Sequence, residues 1–496
     1  MDRFTSYIQR NNLQHKDYQF DGVQWCLNNE LCERPPCNAR GGFIADEMGL
    51  GKTILMIGTM VSNLLPHTLI VLPPVLIEQW REKIHTTTGH QPIVYHGPNK
   101  KHITLQQLQR APIVLTSYGA ITLTRIDLKC HKRTLLHQVS WNRIIYDEAH
   151  HLRNRKTSLY SSVILLSTNI TWLVSGTPIQ NKKSDFYTLC SIIKLDKEYY
   201  SHFDNLPMLA KHFILKRTKK QVGIQLPDVC VENTIVPWTN ENEKNISKQL
   251  HSQLTFSNVS TSYSGPITNA IINSYQGGKG AKLSILTRAK QSCVLPRLLL
   301  PLLYKLASNG LLSNYDTYKD ALLHSSKVDI LIQRLIDRKD NGAGKLIFCH
   351  YKEEMNIIAD KLRMHNVSVE IIDSRKTTQQ RNRILQNPTD VLLLQIQTGC
   401  EGLNLQSNYS EVYFVTPHWN PAVEDQAIAR CHRIGQTKPV YVGRFEMDSF
   451  KDDNLIENEN ENENENEPEK TTKTLDNHVT SIQNKKRLIV QKYMPT

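Results

Sequence analysis

The chain has 496 residues, of which 39% are apolar and 22% charged, with a net charge of +13. That length holds two or three domains with real cores, and the composition excludes a wholly disordered chain. The opening MDRFTSYIQRNN has no apolar stretch, and the richest apolar run, LLLPLLYKL, is short and broken by Pro301 and Lys305, so neither a signal peptide nor a membrane span is expected and the chain reads as intracellular.

Ten cysteines are scattered without a C-x-x-C, which fits reduced thiols better than a disulfide framework or a zinc module. Cys26, Cys32 and Cys37 cluster, but lack an evident fourth ligand.

In chain order, a strand-like GFIA leads into ADEMGLGKT, Ala45 to Thr53, and an apolar helical stretch follows. A Gly-rich turn between strand and helix offers backbone N–H groups and a helix N-terminus to phosphates, with Lys52 reaching the terminal phosphates and Thr53 a magnesium ion. The template G-x-x-x-x-G-K-[ST] is not met strictly, because Asp46 holds its first Gly position. Asp46, Glu47, Met48, Gly49, Leu50 and Gly51 are the candidate cradle. Short β-branched runs come next, LIVL at Leu69, IVLT at Ile113, RIIYDE at Arg143 and TWLVSGT at Thr171, spaced like buried parallel strands with crossover helices between them. RIIYDEAHHLRN ends its strand on Asp147 and Glu148, two carboxylates at the edge where open α/β sheets bind ligands. Asp147 is expected to hold magnesium and Glu148 to polarise the attacking water. An isolated Asp-Glu pair is ordinarily a solvated loop; its place after a β-run and downstream of the Gly-rich loop makes it a candidate site.

After about Lys183 the pattern gives way to polar and helical stretches, including the basic KHFILKRTKK and the Gly-rich QGGKGAK. Strand-like runs resume with KLIFCHY at Lys345, VEII at Val369, VLLLQ at Val391, EVYFV at Glu411 and VYVGRF at Val440. The expected fold class is α/β, two parallel-sheet lobes joined by an irregular middle, an arrangement able to close a cleft on a ligand. The expected divisions are an ATP-binding lobe over 1–185, helical insertions and linker over 186–324, a second lobe over 325–450, an acidic loop over 451–472, and a closing helix and tail over 473–496. The acidic loop contains ENENENENEPEK, Glu459 to Lys470. Nine carboxylates lie between Asp452 and Glu469, and the rest of the chain carries +22 without them. Such a balance fits a polyanion partner.

The motifs DEMGLGKT, DEAHHLRN, LVSGTPIQN at Leu173, GLNL at Gly402, HWNPAVEDQA at His418 and ARCHRIGQ at Ala429 come in an order that resembles the Swi/Snf family of DNA-dependent ATPases, within helicase superfamily two. The resemblance spans Asp17 to Phe445 and implies two RecA-like lobes, ATP and Mg2+ as cofactors, and duplex DNA as partner. It further implies that Gln19, in DYQFDGVQW, reads the adenine edge; that Ser175, Gly176 and Thr177, with His150 beside them and Gly402 in the second lobe, couple hydrolysis to movement; and that Arg430 and Arg433 are arginine fingers. Physically, a guanidinium delivered from another lobe neutralises charge developing on the γ-phosphoryl oxygens.

There are departures. QIQTGCEGLNL has Gln397, Thr398 and Cys400 where the family shows small residues, which bears on coupling by this loop and not on the ATP site. Only Cys190, Cys230 and Cys293 lie between the lobes, so a RING insertion is not expected, and the stretch before Gln19 is too short for a bromodomain or chromodomain. After the acidic run, KTLDNHVTSIQNKKRLIV resembles the family's closing helix, with Leu475, Val479, Ile482 and Ile489 spaced as an apolar face. Alternating Glu and Asn cannot bury a core, so the repeat is expected as a solvated loop interrupting the fold.

The leading expectation is a monomeric ATP-driven motor on duplex DNA, remodelling protein–DNA contacts, with chromatin or transcription proteins as further partners. Its place would be the nucleus, or a viral factory or virion, since the minimal architecture and Asn-rich repeat suit a large DNA virus. Three alternatives stand beside it: a transcription-associated ATPase using the same motor, a strand-separating or RNA helicase sharing Asp-Glu-Ala-His, and a non-catalytic clamp. GTPIQN and HRIGQ favour the DNA-translocating branch, and intact Lys52, Asp147, Glu148, Arg430 and Arg433 weigh against the clamp.

Overall fold

The structure is a computed structural model and describes residues 2–176, 183–313, 315–319, 321–399, 403–450 and 472–493. The chain divides into two units, Met1–Gln225 with Lys486–Thr496, and Leu226–Lys485.

The first unit is built on a parallel sheet. Its strands are β1 (Arg40–Ile44), β2 (Thr68–Leu72), β3 (Ile93–Tyr95), β4 (Ile113–Ser117), β5 (Ser140–Asp147), β6 (Ser167–Val174) and β7 (Ile214–Leu215), in the spatial order β3-β4-β2-β5-β6-β1-β7. Both faces are covered, which explains the continuous apolar runs. Leu69, Val114, Ile144, Tyr146 and Leu173 enter one core, while Ile70, Leu115, Ile145, Trp172 and Val174 enter the other. The helix Asp17–Leu31 is fixed over the sheet by a buried ion pair, Glu30 Oε1 accepting from Arg143 Nε of β5 at 2.6 Å and from Trp172 Nε1 at 2.8 Å.

The second unit repeats the plan with β8 (Val229–Val236), β9 (Gly344–Cys349), β10 (Val369–Ile372), β11 (Val391–Gln395), β12 (Tyr409–Phe414) and β13 (Val440–Met447), ordered β10-β11-β9-β12-β13-β8 and parallel throughout. Helices Glu241–His251, Pro266–Ser274, Lys279–Val294 and Ser326–Asp337 share one core with β9, β11 and the start of the final helix, Leu475–Tyr493.

Residues 186–225 belong to the first unit and residues 226–324 to the second. Phe186, Leu189, Cys190 and Phe213 are fully buried in the first unit's core, and β7 extends that sheet beside β1. β8 pairs with β13 from Val229↔Val440 to Val236↔Met447. It escapes a search for apolar runs because VCVENTIV is an edge strand: Val231 is 48% and Ile235 53% exposed. Of the closing helix's expected apolar face, Leu475 and Val479 are buried and Ile482 partly so, while the side chain of Ile489 and the acidic repeat lie outside the described residues.

Candidate active site

Strand register assembles the first-unit site. Ile44 of β1 and Asp147 of β5 both pair with Val174 of β6, so three adjacent strands end level with one another. The loop after β1, the Asp147–Glu148 pair and Ser175–Gly176 consequently share one carboxyl edge, and Ser175 N donates to Ile44 O at 3.0 Å.

Gly51, at φ 84°, caps the helix Lys52–Ser62 in the left-handed region, where a side chain would be strained and would also meet Gln19 Nε2 at 2.7 Å. Gln19 therefore lies directly on the loop, with Nε2 3.4 Å from Leu50 O. Lys52 Nζ donates to the carbonyls of Asp46 at 2.8 Å and Glu47 at 3.4 Å. Gly176 approaches closely from β6: a Cβ there would sit 3.4 Å from Lys52 Nζ and 3.2 Å from Met48 Cγ. Thr53 is the helix's second residue.

Asp147 is buried, with Oδ2 accepting from Trp80 Nε1 at 2.8 Å and Oδ1 from Glu148 N at 3.0 Å. Tyr118 Oη donates to its carbonyl at 2.6 Å. Burial, then the neighbouring Glu148 charge, pushes its carboxyl above the usual carboxylate range, against the opposing pull of these donors and of Lys52. Glu148 sits at φ 51° and ψ 48°, a strained setting for a non-glycine residue, and its Oε2 is 3.3 Å from His150 Nδ1. A buried carboxylate at the end of β5, with a lysine and a threonine at the N-terminus of the helix Lys52–Ser62, forms a donor set suited to a hard cation and phosphate oxygens.

Two of the cradle residues are engaged elsewhere by their side chains. The Asp46 carboxylate pairs with Arg217 and the Glu47 carboxylate with Lys219, leaving their backbones to the loop. Trp80, Tyr118, Arg217 and Lys219 carried no sequence signal for these positions; LKRTKK read only as basic.

Arg430 and Arg433 belong to the second unit, after the helix Pro421–Ile428. Arg430 Nη1 donates to Leu403 O at 3.3 Å, and Leu405 N to Arg430 O at 3.2 Å. Arg433 bonds the side chain of Asn404, and its pKa is lowered by burial and by Arg430. Gln436 staples this turn, Nε2 donating to the carbonyls of Gln406, Tyr409 and Cys431. Thr177 and Gly402 lie outside the described residues.

Comparison with known proteins decides the family. Residues 18–298 match the SNF2-related domain and residues 326–435 the helicase conserved C-terminal domain. The chain belongs to the SNF2-related family. Members of this family are DNA-dependent ATPases, and the chain shares their nucleotide-using helicase fold. A "Probable global transactivator" of Orgyia pseudotsugata multicapsid polyhedrosis virus is 26% identical over 471 residues, 89% of this chain and 87% of the relative. The "ATP-dependent DNA helicase DDM1" of Arabidopsis thaliana is 27% identical over 480 residues, 87% of this chain, which spans 58% of that relative's length. Among solved structures, the Hef helicase domain of Pyrococcus furiosus matches 88% of this SNF2-related chain and 96% of its own at 17% identity and a TM-score of 0.51, a likeness of fold. Among the described residues no helix is long and apolar enough to cross a membrane.

Proposed function

We propose that this chain is a monomeric ATP-driven translocase that follows duplex DNA and remodels protein–DNA contacts without separating the strands. The observation that carries the reading is the shared carboxyl edge of β1, β6 and β5, where the Lys52 loop, Ser175–Gly176 and Asp147–Glu148 meet. Lys52 binds the terminal phosphates, exchanging loop carbonyls for phosphate oxygens, and Gln19 orients the base. Thr53 and Asp147 would hold magnesium, which when bound would neutralise phosphate charge. Glu148, steadied by His150, orients the attacking water. Arg430 and Arg433 neutralise charge on the transferred phosphoryl group, an effect of about three to five orders of magnitude in rate where such groups act in trans. Ser175, Gly176, Thr177 and Gly402 couple hydrolysis to movement. The +22 borne outside the acidic run supplies the grip on phosphates, which fits work on DNA in a nucleus or a viral factory.

The test is the ATPase rate with no nucleic acid, single strands, blunt duplex DNA and RNA. Strong stimulation by duplex alone is expected, falling steeply with salt; equal stimulation by RNA or single strands overturns it. The likeness to a viral transactivator supports a second reading, in which the same motor works with a transcription apparatus. That reading requires a stalled polymerase on the duplex to raise the rate further.

A further inference from the structure

The phosphate loop is paired on its outer side to a segment that no nucleotide-site motif includes. β7 runs beside β1, Phe43↔Ile214 and Ile44↔Leu215, and the pairing continues beyond both strands. Ala45 N donates to Leu215 O at 2.8 Å and Glu47 N to Arg217 O at 2.9 Å. The first half of the loop is thus the next stretch of a ladder whose other rail is Leu215–Arg217.

Charge reinforces the ladder. Arg217 gives its backbone N and its Nε to Asp46 Oδ1, both at 3.0 Å, and Nη2 to Oδ2 at 2.5 Å. Its Nη1 donates to the carbonyl of Tyr18, the residue before Gln19, and the guanidinium lies 5.4 Å from the Tyr18 ring centroid. Gly22 makes room for it, since a Cβ there would fall 2.8 Å from Nη2. Two residues on, Lys219 N donates to Glu47 Oε2 at 2.8 Å, and Lys219 Nζ is 2.9 Å from Oε1. The Asp46 side chain is 1% exposed. The carbonyls of these same two acidic residues hold Lys52 Nζ. One run of contacts therefore leads from Arg217 and Lys219 through Asp46 and Glu47 to Lys52, with a branch to the backbone beside Gln19.

The arrangement accounts for an acid at the first Gly position of the phosphate-loop template. A buried carboxylate beside a triphosphate repels it unless neutralised, and a bidentate guanidinium both neutralises and orients it. We propose that Arg217, assisted by Lys219, is a positioning residue for nucleotide binding: it holds the phosphate loop in binding geometry and cancels the Asp46 charge, without touching the nucleotide. The proposal rests on reading this loop as the ATP site.

The test measures affinity for a fluorescent ATP analogue with magnesium, together with ATP KM and kcat on saturating duplex DNA, for the full chain. Arg217→Ala is expected to weaken nucleotide binding by about thirtyfold or more, and Arg217→Lys, which keeps charge and loses the fork, by about fivefold to tenfold. Lys219→Ala has a smaller effect, because the Glu47 side chain is 41% exposed. KM rises more than kcat falls, since the reacting groups remain. Asp46→Asn in the Arg217→Ala background recovers most of the affinity, because the unpaired charge is gone; a merely structural arginine gives no such rescue. If Arg217→Ala does not fold, Arg217→Lys and the double variant decide. Wild-type affinity in Arg217→Lys, or a double variant no tighter than Arg217→Ala, overturns the clamp. Lys52→Ala separates the two failures: if it too binds the analogue normally, the loop is not the ATP site, whereas if it alone loses binding, only the clamp is wrong.

Discussion

In the first unit β1 and β6 lead into the Lys52 loop and Ser175, and β5 ends on Asp147; in the second β9 leads into His350, β12 is followed two residues on by Thr416, and β13 ends on Met447. At the first edge Lys52 Nζ donates to loop carbonyls and Asp147 accepts from an indole N–H. At the second edge the chain itself supplies a buried ion pair. Lys327 forms an ion pair with Asp476 of the final helix, at 0% and 1% exposure, and Lys327 Nζ also reaches Thr416 Oγ1 at 3.3 Å. Asp476 Oδ2 accepts from Met447 N at 3.1 Å, and Leu475 N donates to His251 Nε2 at 2.9 Å. Burial holds that imidazole neutral, pushing it down to about 4. Both sheets thus gather polar groups at a carboxyl edge. The second edge buries its ion pair almost completely, whereas at the first the Glu47 side chain that pairs with Lys219 stays 41% exposed.

Breaking the first edge has the largest expected effect. Lys52→Ala abolishes nucleotide binding, while Glu148→Gln binds ATP normally and loses about two to four orders of magnitude in turnover. Equilibrium binding and single-turnover hydrolysis distinguish them, and near-normal hydrolysis by Glu148→Gln removes that residue from its role. Arg430→Ala or Arg433→Ala lowers turnover by about two orders of magnitude or more and leaves ATP affinity within about tenfold, because the proposed site draws most nucleotide contacts from the first unit. Normal hydrolysis by both variants on saturating DNA contradicts their catalytic assignment.

The second edge answers in stability. Lys327→Ala strands Asp476 in the core and costs about 3–5 kcal/mol, whereas Lys327→Met with Asp476→Leu costs much less. Urea melts followed in the second unit check this, and equal losses in both variants mean that the pair is no strut. The smallest effect belongs to deletion of residues 458–468, which leaves DNA-stimulated ATPase within about twofold, since the final helix is anchored by its own contacts after the acidic run. A steady-state assay on the deletion suffices.

How far the sequence was legible follows the same contrast. Lys52, Asp147 and Glu148 stand in local motifs bounded by continuous apolar strands, and every such run forms a strand in the structure. Trp80 with Asp147, Arg217 with Asp46 and Lys327 with Asp476 are separated by 67, 171 and 149 residues. Only strand order and register bring them together, and neither is written in local composition. β7, of two residues, and β8, half exposed on an edge, are too short or too polar to announce themselves.

Strand separation needs a wedge at a fork, which the proposed translocase does without, so a triplex-forming third strand on blunt duplex DNA gives the most direct measurement. ATP-dependent displacement of that third strand, abolished by Glu148→Gln, with a forked duplex of equal length left paired, is the predicted result. Robust unwinding of the fork without triplex displacement would contradict translocation on intact duplex and mark a strand-separating helicase.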